Sequence, residues 1–171
     1  MPMVAHRLAA TLALLLPTAA LAGADLVVFP EGYAESFVRY TTIDKPDRKI
    51  VRYMYVNPET AAAATPEAPL PYGTVLVMED HKAALEGETP VTDASGRLVP
   101  TDEVTNIFVM AKAPGWGADY PKAVRNGEWE YARFLPDGSL KADATYDGCF
   151  ECHKPQAAED YTFSFYPHLR Q

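Results

Sequence analysis

Lys49-Ile50-Val51-Arg52-Tyr53-Met54-Tyr55-Val56-Asn57 is the stretch on which the fold turns. β-Branched and aromatic residues dominate it, and such side chains suit a pleated, half-buried surface, so it reads as a strand. A period of two sets Ile50, Arg52, Met54 and Val56 on one face. Three further stretches read the same way: 73–79 (Gly-Thr-Val-Leu-Val-Met-Glu), 104–112 and 128–134. Pro114-Gly115-Trp116-Gly117 breaks the third, and Pro136-Asp137-Gly138 marks a turn after the fourth. Connections without helical crossovers favour an antiparallel sheet.

Helices are expected mainly towards the two ends of the chain. Pro30 suits the first turn of one that carries Tyr33, Phe37 and Tyr40 at i, i+4 and i+7, a stripe for packing on a core. Asp44 to Arg48 is a charged turn around Pro46. Asn57 reads as the N-cap of a short alanine-rich helix, Pro58 to Ala64. Asp80-His81-Lys82 follows the end of the second strand. The expected class is α+β: a predominantly antiparallel sheet domain with flanking helices and a C-terminal helix that bears the motif below.

That motif is Cys149-Phe150-Glu151-Cys152-His153, which contains the only two cysteines of the chain. C-x-x-C-H is the attachment pattern of a c-type haem. Positions i, i+3 and i+4 share a helix face, so two thiols and one imidazole would point the same way. Asp147 is a candidate N-cap for that turn and Pro155 a candidate stop. The plainer readings are half a zinc site, a thioredoxin-type pair or a short disulfide. Zinc would need two more ligands, with His81 and His168 the spare histidines. A redox pair usually opens a helix in a βαβ pattern, and none is found. Covalent attachment of a single haem c is the favoured reading. With the sheet, it excludes the all-helical cytochrome c and the four-helix cytochrome c′ as models.

Residues 1–22 support it. Arg7 precedes the apolar run Leu8 to Leu16, and Ala20-Leu21-Ala22 offers a small-x-small cleavage site. This reads as a secretory signal peptide, too short for a comfortable membrane span. The expectation is a periplasmic protein of one domain, residues 23–171, without stable membrane insertion. Cleavage would remove Arg7 and no acidic residue, taking the formal charge from −8 to −9. Such an acidic chain is a poor partner for nucleic acid or anionic lipid, though a basic redox partner remains open.

Together these phrases resemble the cytochrome P-460 family and its cytochrome c′-beta relatives. The likeness rests on Phe29-Pro30-Glu31-Gly32-Tyr33, on Ile50 to Glu59 and on Gly73 to Glu79. Gly115-Trp116-Gly117, Trp129, the C-x-x-C-H motif and the ending Phe163 to Arg170 complete it. The resemblance implies a mainly antiparallel domain, commonly dimeric, holding one c-type haem with His153 as its axial metal ligand and the distal side open to a small molecule. It also implies two chemistries. P-460 enzymes carry a lysine cross-link to the haem and oxidise hydroxylamine, whereas c′-beta proteins bind nitric oxide and lack the cross-link.

On that resemblance, Met78 stands where the cross-linking lysine would be, and the nearest lysine is Lys82, past the strand end. Ala111 stands where a proton-accepting carboxylate would be. Read alone, Arg52 among apolar neighbours is either a strand-edge residue reaching for water, the favoured reading, or a pocket residue. The resemblance instead matches it to an arginine of the distal pocket, there with Leu76, Met78 or Phe108 as apolar wall. The expected function is an exported mono-haem cytochrome that binds or turns over nitric oxide or a related small nitrogen oxide. Whether it is an enzyme stays open, with a hydroxylamine oxidase as one alternative. Another is an electron-transfer cytochrome serving a partner cytochrome, with Met54, Met78, Met110, His81 or His168 as sixth ligand.

Overall fold

The computed structural model describes residues 23–171, so the signal-peptide reading of residues 1–22 lies outside the described residues. A five-stranded antiparallel sheet forms the body. Its strands are β1 (Val38–Lys45), β2 (Ile50–Val56), β3 (Val75–Ala83), β6 (Pro100–Lys112) and β7 (Trp129–Phe134), in the spatial order β1-β2-β3-β6-β7. A small hairpin of β4 (Leu85–Glu86) and β5 (Thr89–Pro90) projects between β3 and β6. The helices are short: α1 (Tyr33–Ser36), α2 (Pro58–Ala63), α3 (Asp147–His153) and α4 (Phe165–Leu169). The expected α+β class, with a mainly antiparallel sheet, is the one observed. Among the described residues no helix is long and apolar enough to cross a membrane.

Each face of the sheet carries its own core. One packs Val56, Leu76, Met110, Trp129 and Tyr131 against Tyr40 and against Phe150, Phe165 and Tyr166 of the C-terminal segment. The other packs Tyr55, Val77, Val109, Ala111 and Ala132 against Val27 and Tyr33 from the N-terminal segment. Residues directly opposite in an antiparallel ladder share a face. The register therefore sorts the side chains into rungs. Met54 pairs Met78, Met78 pairs Phe108 and Phe108 pairs Arg133; the next rung towards the strand ends is Arg52, Asp80 and Asn106.

Several boundaries depart from expectation. The helix expected through Tyr33, Phe37 and Tyr40 is a single turn, Tyr33–Ser36, and the chain then becomes β1. Val38-Arg39-Tyr40-Thr41-Thr42-Ile43 is rich in β-branched residues and pairs with β2, which wins over a weak helical stripe. Tyr33 and Phe37 join one core while Tyr40 joins the other. β3 runs on through Asp80, His81 and Lys82, because Ile50 and Arg52 of β2 pair with Lys82 and Asp80. Lys82 is thus inside the strand, not past it. Asn57 precedes α2 but its side chain does not cap it. Its Nδ2 donates to Glu59 Oε2 at 2.9 Å, and its Oδ1 accepts the Val75 N–H at 2.9 Å. Tyr146, not Asp147, is the N-cap of α3, and Pro155 does not end the helical path but lies in a 3-10 stretch, Lys154–Glu159.

Candidate functional site

α3 puts Cys149, Cys152 and His153 on one and a half turns, as the spacing requires. Asn126, fully buried, ties this helix to the sheet: its Nδ2 donates to the Phe150 carbonyl and to Tyr131 Oη, each at 3.0 Å. The Phe150 ring sits edge-on to Tyr131, with centroids 4.9 Å apart, and fixes the roll of the helix. Both cysteines are free thiols, Cys149 half-buried and Cys152 exposed. Burial, and after it the neighbouring Cys152, pushes the Cys149 thiol above its ordinary range.

His153 is held on three sides. Its ring lies 5.1 Å from that of Tyr131 and 4.9 Å from that of Phe163. Its Nδ1 lies 2.6 Å from the Tyr161 carbonyl oxygen. A carbonyl only accepts, so Nδ1 carries the proton and Nε2 is left with its lone pair. Burial lowers the imidazole below the ordinary histidine range, which favours the neutral form a metal needs.

Cys149 opens onto a cavity of about 290 Å³, lined also by Phe108, Arg133, Lys141 and Tyr146. The Arg133 guanidinium stands 5.2 Å from the centroid of the Phe108 ring and donates to Asn106 Oδ1 from Nε at 2.9 Å. Along the same rung Met78 and Met54 continue the sheet face, both only partly buried. Arg52, on the next rung, makes a bidentate pair with Asp80: Nε to Oδ1 at 2.7 Å and Nη2 to Oδ2 at 2.9 Å. Its side chain is 14% exposed and that of Asp80 5%, so this is a buried ion pair rather than a surface one. Arg52 is thus neither reaching for water nor alone.

The structure separates residues that the sequence reading had grouped. Phe108, Met78, Arg52 and Leu76 share the face that meets α3. Ala111 does not: it packs with Val27, Tyr33 and Val77 on the opposite face, so the carboxylate position read at Ala111 is not part of this site. A slip of one residue along a strand exchanges the faces. Lys82 lies on the Met78 side but two rungs' worth of strand away, and its Nζ is paired with Glu103 at 2.6 Å. His81 lies on the far face. Its Nδ1 faces the Thr101 carbonyl at 2.9 Å and its Nε2 faces Glu79 Oε1 at 2.6 Å, so it is not available as a sixth ligand. His168 is packed beside Tyr40 and Phe165. Met110 is buried in the core. Among the described residues, no three of His, Cys, Asp and Glu gather in a metal-binding group.

Two participants escaped the sequence reading. Arg133 was detectable from the alternation in 128–134, which puts Trp129, Tyr131 and Arg133 on one face. Asp80, the acid closest to Met78 on this face, gave no local signal; its role appears only when β3 pairs with β2.

These side chains form a coherent donor set: one imidazole with a free Nε2, two thiols on the same helix, and an adjoining face of Met54, Met78 and Phe108. They fit a covalently anchored haem. The family model described as Cytochrome P460 matches residues 30–164, most of the chain. No curated protein matches it.

Proposed function

The chain belongs to the cytochrome P460 family, a family of haem cytochromes, and from that premise we propose an exported, periplasmic cytochrome with one haem c and a distal side open to nitric oxide or a similar small nitrogen oxide. Cys149 and Cys152 would hold the group through thioether bonds, and His153 would ligate through Nε2. A haem held there would supply an iron able to bind a small diatomic molecule. The chain's own residues then decide what happens there.

The observation that carries this reading is the composition of the rung Met54, Met78 and Phe108 with Arg52 beside it. The phenyl ring of Phe108 offers no ligand atom and Met54 and Met78 only soft thioethers, so this face is apolar and suits a small apolar molecule. Arg52 spends Nε and Nη2 on Asp80, which leaves Nη1 to donate where an N–O group gains negative charge. Asp80 holds the guanidinium in place, so that this donation needs little reorganisation.

One observation favours the hydroxylamine-oxidising alternative. Asp80 is a carboxylate on the same face as Met78, one rung away, whereas Ala111 offers none. Against it, Asp80 is already engaged with Arg52 and Lys82 with Glu103. Ferric and ferrous optical spectra of the purified protein, with and without nitric oxide, test the proposal. A high-spin five-coordinate spectrum that changes on adding nitric oxide to reduced protein is expected. A low-spin spectrum lost in Met78→Ala or Met54→Ala would overturn it in favour of electron transfer. Hydroxylamine turnover with an artificial acceptor would move the chain to the enzyme branch.

A further inference from the structure

Tyr161, whose carbonyl receives the His153 Nδ1–H, has φ 62°, and the residue before it, Asp160, has φ 46°. Two successive non-glycine residues in the left-handed region are costly, and for a bulky tyrosine the conformation is a true outlier. Such backbone persists only where its surroundings over-determine it.

Here the surroundings converge on the Asp160 carboxylate. Oδ2 accepts the Leu70 N–H at 2.9 Å and Lys112 Nζ at 2.8 Å, and Oδ1 accepts Trp129 Nε1–H at 3.3 Å. Lys112 Nζ also donates to the Leu70 carbonyl at 2.8 Å and stands 5.6 Å from the centroid of the Trp129 ring. Lys112 and Trp129 are themselves opposite one another on β6 and β7. Their side chains are largely closed to solvent, 9% exposed for Lys112 and 12% for Asp160. Gly127, at φ 60°, removes the last obstacle: a Cβ there would come within 3.0 Å of the Tyr161 ring.

We propose that Asp160 is a positioning residue for the axial histidine and that Lys112 locks it to the sheet. The chain of contacts runs from the β6–β7 pair through the Lys112–Asp160 ion pair and the Tyr161 carbonyl to His153 Nδ1. The consequence is chemical. The strength and angle of the Nδ1–H···O bond set the basicity of Nε2, and outer partners of ligating histidines commonly change metal affinity 10–100-fold when removed. A rigid, strained carbonyl keeps that bond short and the imidazole electron-rich, which favours ferric over ferrous iron. The inference rests on the haem reading above.

Full-length haem-loaded protein is compared as wild type, Asp160→Asn, Lys112→Met, Lys112→Arg and, as a control, Val51→Ala, whose site lies in a small separate cluster with Ala83 and Leu98. The readouts are the midpoint potential, the iron–histidine stretching frequency of the reduced form and urea stability. Asp160→Asn and Lys112→Met should shift the ferrous-to-ferric ratio about tenfold towards ferrous, 59 mV for one electron. The stretching frequency should fall with it, and Lys112→Arg should restore much of both. Val51→Ala should lose stability with both readouts unchanged. If Asp160→Asn fails to take up haem, Lys112→Met and Lys112→Arg decide the matter. Wild-type potential and frequency in the destabilised Lys112→Met variant would overturn the inference, as would equal shifts in Val51→Ala. Wild-type protein that carries no haem would overturn the haem reading itself.

Discussion

The Nδ1 of His153 and the carbonyl oxygen of Tyr161 are 2.6 Å apart, across a gap of eight residues that includes a 3-10 turn and two left-handed residues. The hydrogen bond that orients the imidazole thus comes from the chain that follows it, not from the helix that carries it.

The first prediction concerns attachment. Cys149 and Cys152 are both free thiols on the helix that ends at His153. Denatured wild-type protein should keep its haem stain and added mass. A Cys149→Ser, Cys152→Ser variant should lose all haem to acidified organic solvent. Extraction from wild type under the same conditions would contradict the covalent reading.

The second separates the two chemistries of the family. Met78 has no amine, and Lys82 is turned to Glu103. Mass analysis of the haem-bearing digest should find thioether links only, to the Cys149–Cys152 peptide. Lys82→Ala should leave the ferrous spectrum as it was, with hydroxylamine oxidation low in both. A haem-linked peptide containing Lys82 is the contrary result.

The third is energetic. Arg52 and Asp80 form a bidentate pair with little exposure. Removing one partner leaves a buried charge unpaired, so Arg52→Ala should cost about 3–5 kcal/mol in urea unfolding. The double change Arg52→Met, Asp80→Leu should cost much less than the two single changes together. Nitric oxide affinity should fall in every one of these variants, because the donor is gone or no longer held. Unchanged affinity in Arg52→Met, Asp80→Leu would remove Arg52 from the site.

The fourth is a pH dependence. Glu130 is 1% exposed, and its Oε2 accepts from Tyr120 Oη at 3.0 Å while Oε1 has no hydrogen-bond partner among the described residues. Burial pushes this carboxyl above its ordinary value of 4.5. The folded state then holds its proton to higher pH than the unfolded chain does. Stability contributed by this group is complete below the unfolded value and is lost as pH rises through the folded one. Glu130→Gln should match wild type in acid and exceed it in stability at neutral pH. Parallel pH profiles for the two proteins would show that folding leaves the Glu130 carboxyl unshifted.

What the sequence revealed and what it hid follow from the range of the forces involved. Four strands were legible because alternation and β-branching are local, and the C-x-x-C-H spacing was legible because a helical turn is local. β1 was hidden by a stripe at Tyr33, Phe37 and Tyr40 whose members end on opposite sheet faces. The polar end of β3 was hidden because only pairing with Ile50 and Arg52 makes Asp80-His81-Lys82 a strand. Ala111 was misplaced by the parity of a strand, where one position decides the face. Asp160 could not be seen at all. Its partners are Leu70, Lys112 and Trp129, distant in sequence and joined only by the finished sheet.

That distance sets an order of events. The Leu70–Asp160 bond spans 90 residues and the Lys112–Asp160 bond 48. Closing the longer loop costs only about 0.6 kcal/mol more than closing the shorter, but both must wait for the sheet that supplies the donors. The stretch 156–171 is made after the strands it binds. A message truncated just after Pro155 would still encode both thiols and the histidine, yet its product would lack Asp160 and Tyr161. It would keep the attachment motif and lose the carbonyl that orients the His153 imidazole.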